Sequence, residues 1–237
     1  MENKLNYAHL LDLYPDAEGF LQRIQQVKEE GELVQQEEIA FFSELLRIFS
    51  TEQDLPLEQL KSFPAKVILT YLTNSHRYYL NKRLPEIEQT LEQLTAQDLP
   101  VPEYLNAVFA WVRQNMEKHF RIEEQSLFPY IEVLEKIQLN QVPQVRIQEL
   151  FKDFSIERFI VSHDDEIENQ LSEVKKQIVR SFSSVEELFP YRVLIHKLDL
   201  LEKDLRLHAR VEDEVLVPKA LEWEILLNYK TQNTKSK

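Results

Sequence analysis

Apolar residues recur along this chain at three- and four-residue steps, the spacing that lines one face of an α-helix. Four long segments carry the pattern. The first runs from Pro64 through KVILTYLTNSHRYYLNKRLPEIEQTLEQL, and the second from Pro102 through EYLNAVFAWVRQNMEKHFRIEEQSL to Pro129. The third covers roughly Ser155 to Phe182, and the fourth roughly Phe189 to Val215, before Pro218. Proline fits the first turn of a helix but not its interior, so Pro64 and Pro102 read as entries, Pro129 and Pro218 as ends, and Pro85 as a kink. Segments of about 25 to 30 residues exceed the usual helix of about 11 to 12, which favours a bundle over a layered fold. The expected class is all-α: an up-down-up-down four-helix bundle over residues 61–230, with an N-terminal helical extension over 1–60 and a flexible tail over 231–237. The extension holds two shorter helical patterns, DAEGFLQRIQQVKEE and QQEEIAFFSELLRIF, and nothing in them suggests chemistry.

Composition narrows the function. With 28 Lys+Arg against 41 Asp+Glu the net charge is −13, which argues against a nucleic-acid partner and against an acidic membrane. The 237 residues include 2 Gly and no Cys, so the chain is poor in turn residues and has neither a disulfide framework nor a thiolate ligand. Its chemistry must use nitrogen and oxygen. No basic-then-apolar leader and no stretch of about 18 apolar residues occurs, and the expectation is a soluble, cytoplasmic protein with no membrane partner.

Two segments share one register. His119-Phe-Arg-Ile-Glu123 leads to Leu127-Phe-Pro129, and His208-Ala-Arg-Val-Glu212 leads to Leu216-Val-Pro218; both read H-x-x-x-E-x-x-x-L-x-P. Residues four apart share a helix face, so each pair presents an imidazole beside a carboxylate. Alone, one such pair is a solvated hydrogen bond. Here the stripe around His119 and Glu123 also holds Val112, Met116, Leu127 and Tyr130, and that around His208 and Glu212 holds Leu201, Leu205, Val215 and Leu216. Both pairs face the core, where a bound cation is the usual compensation for buried carboxylates. His76 lies with Leu69, Leu72, Leu80 and Ile87, while Arg77 falls with Thr70, Asn74 and Asn81 on a polar face. His163 lies with Phe159, Ile160, Ile167 and Leu171.

Intervals of 43, 44 and 45 residues separate His76, His119, His163 and His208. In a bundle, equal separations set residues at one height on successive helices. Four imidazoles and two carboxylates exceed the needs of one ion. If both carboxylates bridge two metals, an oxo or hydroxo bridge leaves about one open position on each octahedral ion. Mixed imidazole and carboxylate ligation suits iron or manganese, and a non-haem di-iron centre is favoured over zinc. Ferritin-like centres use E-x-x-H pairs, the reverse order, which argues against ferroxidase-type storage.

The segments SHRYYLNKRLPEI, HFRIEEQSLFPYI, VSHDDEIENQL and HARVEDEVLVPKAL together resemble the hemerythrin-like domain of the iron–sulfur cluster repair di-iron proteins, the RIC family, over about residues 57–221. The resemblance implies a hemerythrin-like bundle holding two non-haem iron ions, with Glu123 and Glu212 as bridges and His76, His119, His163 and His208 as terminal ligands. It also implies repair of iron–sulfur clusters damaged by nitric oxide or peroxide. Three departures stand out. The family's N-terminal cysteine module is absent; its first histidine falls where this chain has Arg77, leaving His76 displaced by one; and a fifth histidine is missing near Ala96, Gln97 and Asp98. An open metal position is expected there, with Asp98 or Glu166 as the alternative ligands. His9 and His196 read as surface or boundary residues, and Tyr78, Tyr79 and Tyr130 as core filling or as hydrogen-bond donors behind the ligands.

Two functions are therefore expected. One is iron–sulfur cluster repair in the response to nitric oxide and oxidative stress, with damaged iron–sulfur proteins as partners. The other is a carrier or sensor of dioxygen, nitric oxide or iron. Whether either is enzymatic stays open at this point.

Overall fold

In a computed structural model the chain is described at residues 19–20, 22–23, 36–51, 53–96, 104–152, 154–162, 166–181 and 189–235. Every regular element among these residues is helical. Helices α1 (Gln36–Thr51) and α2 (Leu57–Lys61) precede four rods. The first rod is α3 (Ala65–Tyr78), a π-helical turn at Tyr79–Arg83 and α4 (Leu84–Ala96). The second is α5 (Tyr104–Ile122), a π turn at Glu123–Leu127 and α6 (Phe128–Gln138), with short α7 (Val145–Leu150) after it. The third holds α8 (Ile156–Ser162) and α9 (Glu166–Ser181). The fourth is α10 (Phe189–Arg210), a π turn at Val211–Leu216 and α11 (Val217–Lys235). At one end of the bundle α4, α5, α9 and α10 close a ring; at the other α3 packs on α6, α6 on α11 and α11 on α8.

Local chemistry sets the rod ends. Pro64 precedes α3, and the Glu135 carboxylate of α6 accepts from the backbone N–H of Ala65 at 2.6 Å and of Lys66 at 3.3 Å, capping the helix from a neighbouring rod. Helix α6 stops where Asn140 takes a left-handed φ of 56°, with Gln141 N–H returning to the Lys136 carbonyl at 2.8 Å.

Pro129 and Pro218 do not end helices, contrary to the sequence expectation, and Pro85 marks a widened turn rather than a bare kink. Proline lacks the N–H that its fourth preceding carbonyl would accept, and its ring crowds that carbonyl. Each rod absorbs this by opening one turn to i→i−5 bonds: Leu84 N–H to the Tyr79 carbonyl, Phe128 to Glu123, and Val217 to Glu212. In all three the acceptor stands six residues before the proline, so the helix continues.

The core divides in two. One apolar cluster holds Ile68, Tyr71, Leu72, Leu127, Ile131, Leu134, Val215 and Leu216, and α1 adds Phe41, Phe42, Leu45 and Phe49 to it. The other holds Tyr79, Leu84, Phe109, Met116, Phe120, Leu171, Leu198 and Leu205. The faces of α1 are amphipathic, and burying each Phe or Leu stabilises the docked extension by about 1.5–3 kcal/mol. Along the first, second and fourth rods the change from one cluster to the other falls near His76, at Phe120 to Leu127, and near His208. On the third it falls between Phe159 and Leu171.

Candidate metal centre

Between the two clusters lies a layer of imidazoles and carboxylates. His76, in the last turn of α3, is 1% exposed; Glu123, opening the second π turn, is fully buried; His208, near the end of α10, is 3% exposed. One ligand-capable atom from each lies within 4.8 Å of the others. The Nε2 atoms of His76 and His208 are 3.2 Å apart, and His76 Nε2 stands 3.0 Å from Glu123 Oε2. The other Glu123 oxygen lies 2.6 Å from His119 Nε2, one helical turn earlier on the same rod. His119 is less enclosed, its side chain 22% exposed, so it sits at the rim of the layer. Glu212 is buried in the third π turn.

Aromatic rings fix the imidazole planes. Phe120 stacks on His76 with centroids 3.9 Å apart and an interplanar angle of 8°, and Phe128 stacks at 5.7 Å. Tyr79 and Phe120 meet His208 edge to face at 5.8 and 6.0 Å. Behind His76, Nδ1 donates to Glu124 Oε1 at 2.8 Å, which turns Nε2 toward the layer.

The electrostatics follow from burial and neighbours. Desolvation pushes the Glu123 carboxyl upward, but His119 and His76 outweigh it and hold the group well below the usual carboxylate range. Burial pulls His76 down, yet Glu123 and Glu124 bring it above its ordinary value. Burial first, then His76, keep His208 well below its own.

The donor set fits a cation. Both Glu123 oxygens lie close to imidazole nitrogens but accept no directed hydrogen bond, and His208 Nδ1 has no hydrogen-bond partner. Buried carboxylate oxygens left in that state are costly. A nitrogen–nitrogen separation of 3.2 Å is close to the span of two imidazoles on one ion at a near-right angle, given bonds of about 2.1 Å.

Of the six residues expected from the sequence, His76, Glu123 and His208 are brought together, His119 joins them through Glu123, and Glu212 is buried in the π turn that corresponds to that of Glu123. His163 and Asp98 lie outside the described residues, as does His9, and Glu166 is described only as the first residue of α9. Among the described side chains the predicted faces hold with three corrections. Asn74 is buried rather than polar-facing, because α3 is covered by more than one neighbour. Ile160 is 46% exposed, since the short α8 turns that side outward. Leu80 is only half-buried. His196 is exposed, as expected. Tyr79 donates to the Asp204 carbonyl at 3.2 Å, and Tyr130 donates to Glu224, which also accepts from the Ile156 N–H, so both tyrosines brace neighbouring elements. Sequence reasoning missed Phe120, Phe128 and Glu124. Phe120 directly follows His119 in the motif and Glu124 directly follows Glu123, and that adjacency is the signal that points to them.

Comparison with curated proteins and with solved structures returned no match. The family model of the hemerythrin HHE cation binding domain matches residues 67–220. That span takes in all three π turns and every residue of the layer. This chain belongs to the hemerythrin HHE cation-binding family.

Proposed function

We propose that this chain is a non-haem di-iron protein whose metal ligands are His76, His119, Glu123, His163, His208 and Glu212, and that it serves iron–sulfur cluster repair in the response to nitric oxide and oxidative stress. The observation that supports it most is the buried Glu123 carboxylate, its oxygens 2.6 Å from His119 Nε2 and 3.0 Å from His76 Nε2 with neither in a directed hydrogen bond. Two irons held there would supply a redox-active centre open to one small ligand, such as dioxygen, nitric oxide or peroxide. The chain's own part is to fix the imidazole planes with Phe120 and Phe128, to hold Nε2 of His76 inward through Glu124, and to keep bulk water from the layer with the two apolar clusters.

Anaerobic reconstitution with ferrous iron tests the centre. The expected result is two irons per chain, with a sharp fall in Glu123→Ala and in Glu212→Ala; full iron retention in both variants would sink the bridging assignment. Iron-loaded protein should then restore activity to an iron–sulfur enzyme inactivated by nitric oxide. The absence of Cys supports a second reading, a carrier or sensor of dioxygen, nitric oxide or iron, because no redox partner thiol comes from this chain. A reversible spectral change on exposure to dioxygen, with no restoration of the damaged enzyme, would select it.

A further inference from the structure

Residues 19–20 and 22–23 pack against rings that border the metal layer. They are helical, and Arg23 is completely buried. Its guanidinium pairs with Asp204 of α10 and lies 4.7 to 5.7 Å from the ring centroids of Tyr78, Phe20, Tyr79 and Tyr71. Gly19 allows the approach: a Cβ there would stand 2.6 Å from Tyr78 Oη. Two of the caging rings also touch His208, Tyr79 at 5.8 Å and Tyr71 at 6.3 Å between centroids. The guanidinium and a layer imidazole thus share two aromatic neighbours.

Asp204 is one helical turn before His208, and Tyr79 ties the Asp204 carbonyl to the first rod. His208 turns Nε2 toward His76, which leaves Nδ1 facing away from the layer with no hydrogen bond. Asp204 Oδ2 is taken by Arg23, while Asp204 Oδ1 and Arg23 Nε are also buried without one. A buried ion pair with idle polar atoms is a poor source of stability, since burying apolar groups there would serve as well or better. Metal-bound histidines characteristically pass their second nitrogen to a carboxylate, a carbonyl or water, which fixes ring orientation and raises ligand basicity.

We propose that Arg23 is a positioning residue for the metal centre: paired with Asp204, it fixes Tyr71 and Tyr79, the rings that pack on His208, and so helps to set that ligand. This rests on the metal reading above and extends it to a segment outside the residues that match the family.

The test uses the full chain loaded with ferrous iron under anaerobic conditions, and follows iron release to a chelator together with the visible spectrum of the oxidised centre. Arg23→Met should release iron about ten-fold faster than wild type, the lower end of what loss of an outer partner costs, and should shift the spectrum. Arg23→Lys, which keeps the cation, should bring both back toward wild type. If Arg23→Met does not fold, Asp204→Asn breaks the pair with almost no change of volume and should show the same faster release. Thermal unfolding of the metal-free variants separates a merely structural role, which would lower stability and leave spectrum and release unchanged. Wild-type protein that takes up no iron would overturn the metal reading itself; wild-type uptake with unaltered release and spectrum in Arg23→Met or Asp204→Asn would overturn this inference alone.

Discussion

Single residues decide more here than their types suggest. Arg77 and His76 are adjacent, and only His76 is buried, because its stripe continues through Leu69 and Leu72 while Arg77 projects outward. Periodicity was sufficient to choose between them. Glu124 and Arg23 were not legible in that way, because each gains its partner through tertiary contact. Glu202 shows the same limit and offers a direct measurement. It accepts from Lys175 of α9 and from Arg206, and although burial pushes its carboxyl up, these cations bring it below its ordinary value of 4.5. A carboxyl lowered on folding adds stability above its unfolded value, and that stability is lost as pH falls through the folded value. Because Lys175 and Arg206 are partly exposed, the contribution is about 0.5–1 kcal/mol. Urea unfolding of metal-free Glu202→Gln should show that deficit near neutral pH, and the deficit should shrink as pH drops below 4.5.

At the scale of elements, the prolines carry information that hydrophobic periodicity hides. A periodic pattern identifies a helix, but it does not show whether a proline stops the helix or is accommodated by it. The decisive signal was the repeated distance: Tyr79, Glu123 and Glu212 each stand six residues before a proline, and each accepts the i→i−5 bond of its π turn. Two of the three acceptor carbonyls belong to the glutamates of the H-x-x-x-E pairs. The first rod puts Tyr79 at the corresponding place, which is why it contributes a wall rather than an acid. Pro129→Ala restores an N–H and removes the ring that crowds the turn, so the rod can relax toward a regular α-helix and rotate Glu123 relative to α6, which packs on the first rod. The expected outcome is iron occupancy well below wild type with helical content unchanged or raised, measured by metal analysis and far-ultraviolet circular dichroism on the same sample. Wild-type occupancy would show that the turn is not needed to place the carboxylate.

For the whole molecule, the bundle and the meeting of His76, Glu123 and His208 could be anticipated because long periodic helices that carry a scarce residue at nearly equal intervals have few geometric solutions. The place of the extension could not, since amphipathic α1 would bury the same residues against its own bundle or another chain. In this structure α1 covers α3 and α10, with Phe41 and Phe42 edge-on to Tyr71 at 5.9 and 5.5 Å. No helix among the described residues is long and apolar enough to cross a membrane.

The division of the core has a consequence for how this sequence can change. Ile131 and Leu198 belong to different clusters, with the polar layer between them, so truncating one leaves the packing partners of the other intact. The effects of Ile131→Val and Leu198→Ala on unfolding free energy should therefore sum in the double variant to within about 0.5 kcal/mol, whereas a larger interaction energy would mean that strain crosses the layer. Each end of the bundle is then free to drift on its own, as two independently repacked halves, while selection at the junction holds the residues that both halves must meet.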